Sequence, residues 1–280
     1  MVLGVVGLGL MGGSFSLALR EAGESDLVIL GCDHNTEHVK EALDLGIIDA
    51  SVTFEELKRQ ADVIVFAIPV GAIKTMIAQM DGIKENCTVI DLGSTKASII
   101  EATPAAMRHN LVAAHPMAGT EYSGPKAAFS TLYRGKIVVL CNIEDSGEHQ
   151  RKVAVGLFEK LGMKMVYMDA RAHDRHAAFI SHMPHVISYA IANSVLAQED
   201  KKSILTLAAG GFRDMSRLAK SPSSMWRDIF MENRQTLLNS METFEAELHR
   251  ARSLIESAHW DELQEWMREA NTLHELFDPQ

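Results

Sequence analysis

Val2-Leu3-Gly4-Val5-Val6-Gly7-Leu8-Gly9-Leu10-Met11-Gly12-Gly13 opens the chain, and the architecture can be read outward from it. An apolar run ends in Gly7-x-Gly9-x-x-Gly12, and residues 14–20 then read as a helix. A strand, a tight glycine turn and a helix N-terminus together make a site for a pyrophosphate. Gly7 permits the turn, Gly9 lets the main chain approach phosphate, and Gly12 lets the helix pack on the strand. A glycine triplet by itself also suits a bare strand–turn–helix corner. Its place directly between a strand and a helix points to a bound dinucleotide.

Beyond that loop, strands and helices alternate. Gly23 is placed to stop the first helix. Residues 27–32 read as a second strand ending on Asp33. An acid there can bind both ribose hydroxyls of NAD and would repel a 2′-phosphate; it can also serve as a turn or N-cap residue for the helix over 36–45. Gly46 ends that helix, and 54–60 is a short one. Val63-Ile64-Val65-Phe66-Ala67-Ile68 is the continuous apolar run that a parallel strand buried on both faces requires. Pro69 ends it, before a helix over 70–80. Thr88-Val89-Ile90-Asp91 is a strand, followed by Leu92-Gly93-Ser94-Thr95-Lys96 and a helix to Met107. Residues 111–114 form a strand that stops at the loop His115-Pro116-Met117-Ala118-Gly119-Thr120-Glu121. The last strands are 137–141 and 164–168. This alternation describes a Rossmann-type α/β fold, a doubly wound, mainly parallel sheet over residues 1–168. Ligands of such sheets gather beyond the carboxyl ends of the strands. The expected cofactor-binding residues are therefore Gly7, Leu8, Gly9, Leu10, Met11, Gly12, Asp33, Ile68, Pro69 and Ser94.

From Asp169 onward the strand signals vanish, and helices are expected over 172–197, 204–209, 222–257 and 260–276. Leu237, Met241, Phe244, Leu248, Ala251 and Ile255 make a heptad-like stripe. Such a seam serves either an intramolecular bundle core or a partner helix. We read 169–280 as an all-α dimerisation and substrate domain and expect a homodimer through it.

The 280 residues suffice for two domains, with apolar content of 47% and charged content of 23% that are ordinary for a globular chain. No apolar run approaches the ~20 residues of a membrane span. The N-terminus enters a strand without a basic n-region, so no signal peptide is expected. Cys32, Cys87 and Cys141 lie far apart without a CxxC pair, which suits reduced thiols in the cytoplasm. The net charge of −10 argues against nucleic-acid binding by a general electrostatic route. An anionic small substrate remains allowed, because screening leaves the decision to local Arg and His residues.

Three clusters can carry chemistry. His115 stands at a strand's carboxyl end; as a neutral imidazole it can accept the proton an alcohol loses beside a nicotinamide, or it can simply bond to backbone. Ser94, at the neighbouring strand end, could hold the other ring nitrogen or cap the helix after it. His182 and His185, with His173 and His176 just before, invite a metal. No Cys or clustered carboxylate completes a site, so no metal is expected and pocket-lining donors are the better reading. Gly210-Gly211-Phe212-Arg213-Asp214-Met215-Ser216-Arg217 reads as a helix break with two arginines, suited to gripping a carboxylate or to an exposed turn. Trp226 could wall a pocket or pack at a helix start.

Taken together, GLGLMGGS at 7–14, DLGSTK at 91–96, HPMAGTE at 115–121, HDRHAAFISHMPH at 173–185, GGFRDMSR at 210–217 and SMWRDI at 224–229 make the chain resemble the prephenate and arogenate dehydrogenases of tyrosine biosynthesis. The resemblance covers nearly the whole chain. It implies a nucleotide domain, a helical dimerisation domain, and NAD-dependent oxidative decarboxylation of prephenate to 4-hydroxyphenylpyruvate, CO2 and NADH. By the same resemblance, His115 receives the proton of the substrate's 4-hydroxyl with Ser94 beside it, and Arg217 grips the ring carboxylate. Thr120, Glu121, His182 and His185 match pocket residues, with Glu121 at the entrance; Arg213 belongs to the same substrate-binding set. Gly210 and Trp226 match positions that reach a neighbouring subunit's pocket.

Other readings stay open at this level. Arogenate dehydrogenase, or a dual cyclohexadienyl dehydrogenase, differs only in an amine for a ketone; His185 in place of an apolar residue leans towards prephenate. A non-catalytic NAD(H)-sensing dimer would need neither a proton acceptor nor a carboxylate fork. A 3-hydroxyacid dehydrogenase would show a Lys-x-x-Asn pair, absent over 160–195. No chorismate mutase segment is expected before residue 1 and no ACT-type βαββαβ pattern after Trp260. Tyrosine feedback would therefore have to act at the active site.

Overall fold

The structure is a computed structural model that describes residues 1–23, 26–120 and 122–277. Eight strands form one sheet: β1 (Val2–Val6), β2 (Val28–Cys32), β3 (Ala50–Ser51), β4 (Val63–Phe66), β5 (Thr88–Asp91), β6 (Leu111–Pro116), β7 (Ile137–Cys141) and β8 (Lys164–Met168). Their order is β3-β2-β1-β4-β5-β6-β7-β8. β1 to β6 run parallel, β7 turns antiparallel to β6, and β8 follows β7 in parallel. All residues of β4 are buried, which is why it shows an unbroken apolar run instead of alternation. The winding reverses between β1 and β4, and that switch point opens a crevice at the strand ends.

The helices are α1 (Leu10–Glu21), α2 (Thr36–Asp44), α3 (Phe54–Gln60), α4 (Val70–Ile77), α5 (Ala97–Ala102), α6 (Glu148–Lys160), α7 (Ala170–Ala177), α8 (Met183–Leu196), α9 (Lys201–Thr206), α10 (Gly210–Ser216), α11 (Ser223–Glu232), α12 (Arg234–Glu256), α13 (Trp260–Asn271) and α14 (Leu273–Phe277). α3 begins at a full capping box, with Thr53 and Glu56 satisfying each other's backbone N–H. On one face of the sheet Phe15 of α1 meets Tyr133 and Phe158 edge-on, at ring separations of 6.0 and 6.2 Å. The Tyr133 hydroxyl donates to the Met11 carbonyl at 2.7 Å, tying the first turn of α1 to the segment before β7.

Several expectations change. α1 starts at Leu10, four residues before the expected position, so Gly12 lies in its first turn. The helix expected to reach Met107 stops at Ala102, because Pro104 cannot continue the ladder; a 3-10 turn, Ala105–Met107, follows. β6 runs two residues further than expected. His115 therefore lies in the strand, opposite Val139 of β7, and not on the loop after it. Residues 210–216 form a helix, α10, where a break was expected, with Arg217 opening a 3-10 turn after it. The long helix over 222–257 is interrupted at Asn233.

The chain forms two compact units, Met1–Arg234 and Gln235–Gln280. Helices α7 to α11 fall in the first unit, with the sheet. Within the second unit, Trp266 Nε1 donates to Glu247 Oε2 at 2.8 Å, and Arg250 pairs with Glu269 at 3.5 Å. Along the α12 stripe Leu237 and Ala251 are buried, whereas Leu248 and Ile255 are 58% and 53% exposed. Among the described residues no helix is long and apolar enough to cross a membrane.

Candidate active site

The glycine loop separates into two roles. Gly7 has φ +92°, and a Cβ there would lie 2.4 Å from the Ala67 carbonyl oxygen and 2.5 Å from Ile68 Cγ2. A Cβ at Gly12 would lie 2.0 Å from the Gly7 carbonyl oxygen. Close packing of β1, α1 and the loop after β4 requires both glycines, and it sets Ile68 and Pro69 on the border of the turn. Gly9 differs. A Cβ there would meet only the Gly124 nitrogen, at 4.0 Å. Gly9 is the N-cap of the twelve-residue α1 and offers it no side-chain cap. An uncrowded backbone at a helix N-terminus suits the pyrophosphate of a dinucleotide.

Leu8 and Leu10 are buried, and the Leu8 N–H already donates to Asp33 Oδ2 at 2.8 Å. Leu8 thus packs in the core with its N–H given to Asp33. The other Asp33 oxygen accepts from Asn35 N at 2.9 Å. The cap of α2 is Asn35, which accepts from Glu37 N at 3.0 Å, so the N-cap reading of Asp33 falls. Its carboxylate lies against the glycine loop between His34 Nδ1 at 3.2 Å and His38 Nδ1 at 3.6 Å. A carboxylate has lone pairs to spare after two N–H bonds, so it still fits ribose hydroxyls.

His115 is partly exposed at the end of β6. Its Nδ1 lies 2.8 Å from Nε2 of buried His173 on α7, with the rings edge-to-face at 5.0 Å. His173 Nδ1 lies in turn 2.8 Å from Asp174 Oδ1. Asp174 accepts from Lys96 N at 2.8 Å and Ala97 N at 2.9 Å, which docks α7 against the start of α5. The Lys96 side chain is fully buried; its Nζ donates to the Asp91 carboxylate and, at 2.7 Å, to the Ala114 carbonyl. Burial first, then the electrostatic influence of His173, Lys96 and His182, holds His115 well below the usual imidazole range. Its imidazole is therefore kept neutral, a form able to accept a proton. Ser94 lies between β5 and α5, but the expected Ser94–His115 bond does not form: His173 takes Nδ1, and among the described residues no other side chain bonds the His115 ring.

The helical half supplies the opposite wall. Pro184 has no N–H for the i−4 carbonyl, and the turn before it, Ala178–His182, opens into a π-helix. His182, buried, accepts at Nδ1 from Asn233 Nδ2 at 3.1 Å, and the same amide donates to the Asp174 carbonyl at 2.8 Å. Burial chiefly lowers His182 to about 4. His185 stacks on Trp226 of α11 with ring centroids 3.3 Å apart, and Trp226 meets His182 edge-on at 6.1 Å. His185 Nδ1 lies 2.8 Å from the Ser181 carbonyl. Burial and the Arg217 guanidinium push His185 down, which brings Arg217 into the same field. Arg213 and Arg217 are both exposed, and among the described residues neither is paired with a carboxylate. Gly210 opens α10, and a Cβ there would meet nothing within 4 Å. Thr120 is exposed, its Oγ1 accepting from Tyr122 N at 3.2 Å. Glu121 lies outside the described residues.

The structure thus gathers His115, His182, His185 and Trp226 and brings Arg217 to them. It adds His173, Asp174, Lys96 and Asn233, which sequence reasoning had not assigned. The His173-Asp174 pair was visible as a motif, but His173 had been grouped with the other histidines as a metal candidate. Among the described residues no group of three His, Cys, Asp or Glu is arranged to hold a metal ion.

A nucleotide cradle at the switch point of a doubly wound sheet, with a neutral histidine able to accept a proton at a strand end nearby, defines a nucleotide-dependent oxidoreductase. Residues 15–167 match the nucleotide-binding domain of prephenate dehydrogenase, and residues 169–269 match its dimerization domain. The chain belongs to the prephenate dehydrogenase family, whose chemistry is NAD-dependent oxidation. It is 32% identical to the cyclohexadienyl dehydrogenase of Zymomonas mobilis, over 96% of this chain and 93% of that one. It is 30% identical to the prephenate dehydrogenase of Bacillus subtilis, over 90% and 69%. The crystal structure of Aquifex aeolicus prephenate dehydrogenase with hydroxyphenyl propionate and NAD+ superposes with a TM-score of 0.91, at 31% identity, covering 99% of this chain and 98% of that one.

Proposed function

We propose that the chain oxidises prephenate with NAD to 4-hydroxyphenylpyruvate and CO2, and that His115 accepts the proton of the substrate's ring hydroxyl. The observation that carries the substrate class is a pair of buried donors. Asn233 donates to His182 Nδ1, so the hydrogen of this neutral ring is on Nε2. His182 Nε2 and Trp226 Nε1 are both buried without an acceptor among the described residues. An unpaired buried donor costs about 1–3 kcal/mol, and a ligand rich in acceptors, such as a dicarboxylate with a keto group, removes that cost. Arg217, exposed and without a carboxylate partner among the described residues, can grip a carboxylate with a bidentate fork.

NAD bound along the glycine loop supplies the hydride acceptor. His115 takes the hydroxyl proton at Nε2 as hydride leaves the same carbon. Arg217 holds the ring carboxylate until it departs as CO2, the ring becomes aromatic, and the phenolate oxygen so formed takes the proton back from His115. The remaining work is orientation, worth about 7–11 kcal/mol in well-aligned reactions. Ser94, Thr120, Glu121, Arg213 and Gly210 complete the proposed substrate pocket. The open space at Gly210 and the exposed residues of the α12 stripe suit a second copy of the chain, and we assign a homodimer through the helical half. Free Cys32, Cys87 and Cys141 suit the cytoplasm.

One observation favours a second substrate. The Ser181 carbonyl takes the His185 Nδ1 hydrogen, so His185 Nε2 is an acceptor, which suits the ammonium of arogenate better than the ketone of prephenate. It supports a dual cyclohexadienyl dehydrogenase as a second reading beside prephenate. Mixing the protein with NAD and prephenate, then arogenate, and reading absorbance at the NADH band separates the cases. Turnover of prephenate is expected; binding of NAD without turnover of either substrate overturns the assignment.

A further inference from the structure

We infer that His173 and Asp174 are positioning residues that lock His115 in the one tautomer able to take a proton from substrate. The inference rests on His115 being the base, and its geometry stands apart from any bound ligand. Asp174 presents a carboxylate surrounded by N–H donors: Lys96 N at 2.8 Å and Ala97 N at 2.9 Å from its two oxygens. A carboxylate only accepts, so the contact at 2.8 Å between Asp174 Oδ1 and His173 Nδ1 puts a hydrogen on His173 Nδ1. In the neutral ring, His173 Nε2 is then a bare lone pair. It faces His115 Nδ1 at 2.8 Å. Two lone pairs cannot share that distance, so His115 Nδ1 carries the hydrogen and donates. His115 Nε2 is left unprotonated, the form a general base requires.

The device is rigid because each member is held twice. His173 is buried, on a helix whose own N-cap, Asp169, accepts from Ala172 N at 2.9 Å. Asp174 is pinned by two backbone donors, and its own carbonyl accepts from Asn233. A merely structural histidine would need none of this direction. The same line of bonds also serves the product of proton transfer. Once Nε2 is protonated, the Nδ1–H of the cationic His115 ring points at a lone pair backed by a carboxylate, as in other orienter–base pairs. The order here is carboxylate, histidine, histidine.

The direct test is the ring nitrogen spectrum of the unliganded wild-type protein, labelled with 15N-histidine and with His115 assigned by the signals lost in His115→Asn. The expected result is a protonated Nδ1 and an unprotonated Nε2 at His115 near neutral pH, and the opposite tautomer overturns the inference whatever the activity. Two variants extend it. His173→Leu removes the acceptor; we expect His115 to become a mixture of tautomers and kcat to fall by roughly 10²-fold, with KM for NAD and for prephenate within about twofold. His173→Gln, whose amide oxygen can accept from Nδ1–H, should recover most of that loss. Wild-type kcat in His173→Leu, or an unchanged His115 tautomer in it, refutes the positioning role. Should His173→Leu fail to fold, the wild-type spectrum alone decides. Failure of His115 as the base would show separately, as full turnover in His115→Asn.

Discussion

At the scale of single residues, the site depends on histidines kept neutral by burial. His115→Asn should lower kcat by about 10²–10⁴-fold, the worth of a placed base, with substrate KM nearly unchanged; steady-state kinetics with prephenate reads both. His182 ties stability to pH. Its imidazole titrates near 6.5 when unfolded and at about 4 when folded, so between those values the unfolded chain binds the extra proton. His182 then contributes fully above pH ~6.5, and about 3 kcal/mol is withdrawn as the pH falls towards 4. Urea unfolding at pH 7.5 and pH 5 should show the loss, and His182→Asn should flatten it. The glycines make a matched pair of opposites. Gly12→Ala drives a Cβ to 2.0 Å from the Gly7 carbonyl and should lower Tm sharply. Gly9→Ala crowds nothing in the chain and should leave Tm alone while raising KM for NAD.

At the scale of elements, the π-helical turn before Pro184 sets the relation of His182 to the helix that follows. Pro184→Ala restores the missing N–H and lets the turn wind as α-helix. Rotating His182 away from Asn233 should raise KM for prephenate several-fold, measured beside an unchanged KM for NAD. α11 carries Trp226 and is bound to α4: Asp228 Oδ2 accepts from Gly71 N at 3.3 Å, and Glu232 pairs with Lys74 at 2.7 Å. α4 starts at Pro69 on the glycine turn, so the two helices join the substrate wall to the nucleotide cradle. Most of these elements were legible from periodicity and stop signals. The misreadings fell where a backbone bond is lost or gained through a distant partner. β6 lengthened because β7 pairs with it, and Gly210-Gly211 entered a helix that their propensity alone argues against.

For the whole molecule, the open question of assembly has a direct measurement. Leu248 and Ile255 are exposed on the α12 stripe, and Leu207 is 84% exposed. A homodimer would cover faces of this kind. Sedimentation should show a dimer at micromolar protein, and Leu248→Glu with Ile255→Glu should yield monomer with far lower turnover. A monomeric, fully active wild-type chain would overturn both the dimer and the contribution of Gly210 across it.

The sequence by itself determined the alternation of strand and helix, the glycine turn that receives a nucleotide, and the residues from which a site could be built. These are local matters, governed by side-chain period, steric freedom at glycine and proline, and helix capping. Only the tertiary structure decided how those residues are used. His115 lies 58 residues from His173, and Asn233 lies 51 from His182. No local rule ties such positions together; their pairing follows from the packing of α7 and α11 against the end of the sheet. The physical reason is that a hydrogen bond needs a distance and a direction, which one sequence does not contain. Of the four histidines that invited a metal, the fold sets His173 against His115 and brings His182 and His185 together around Trp226.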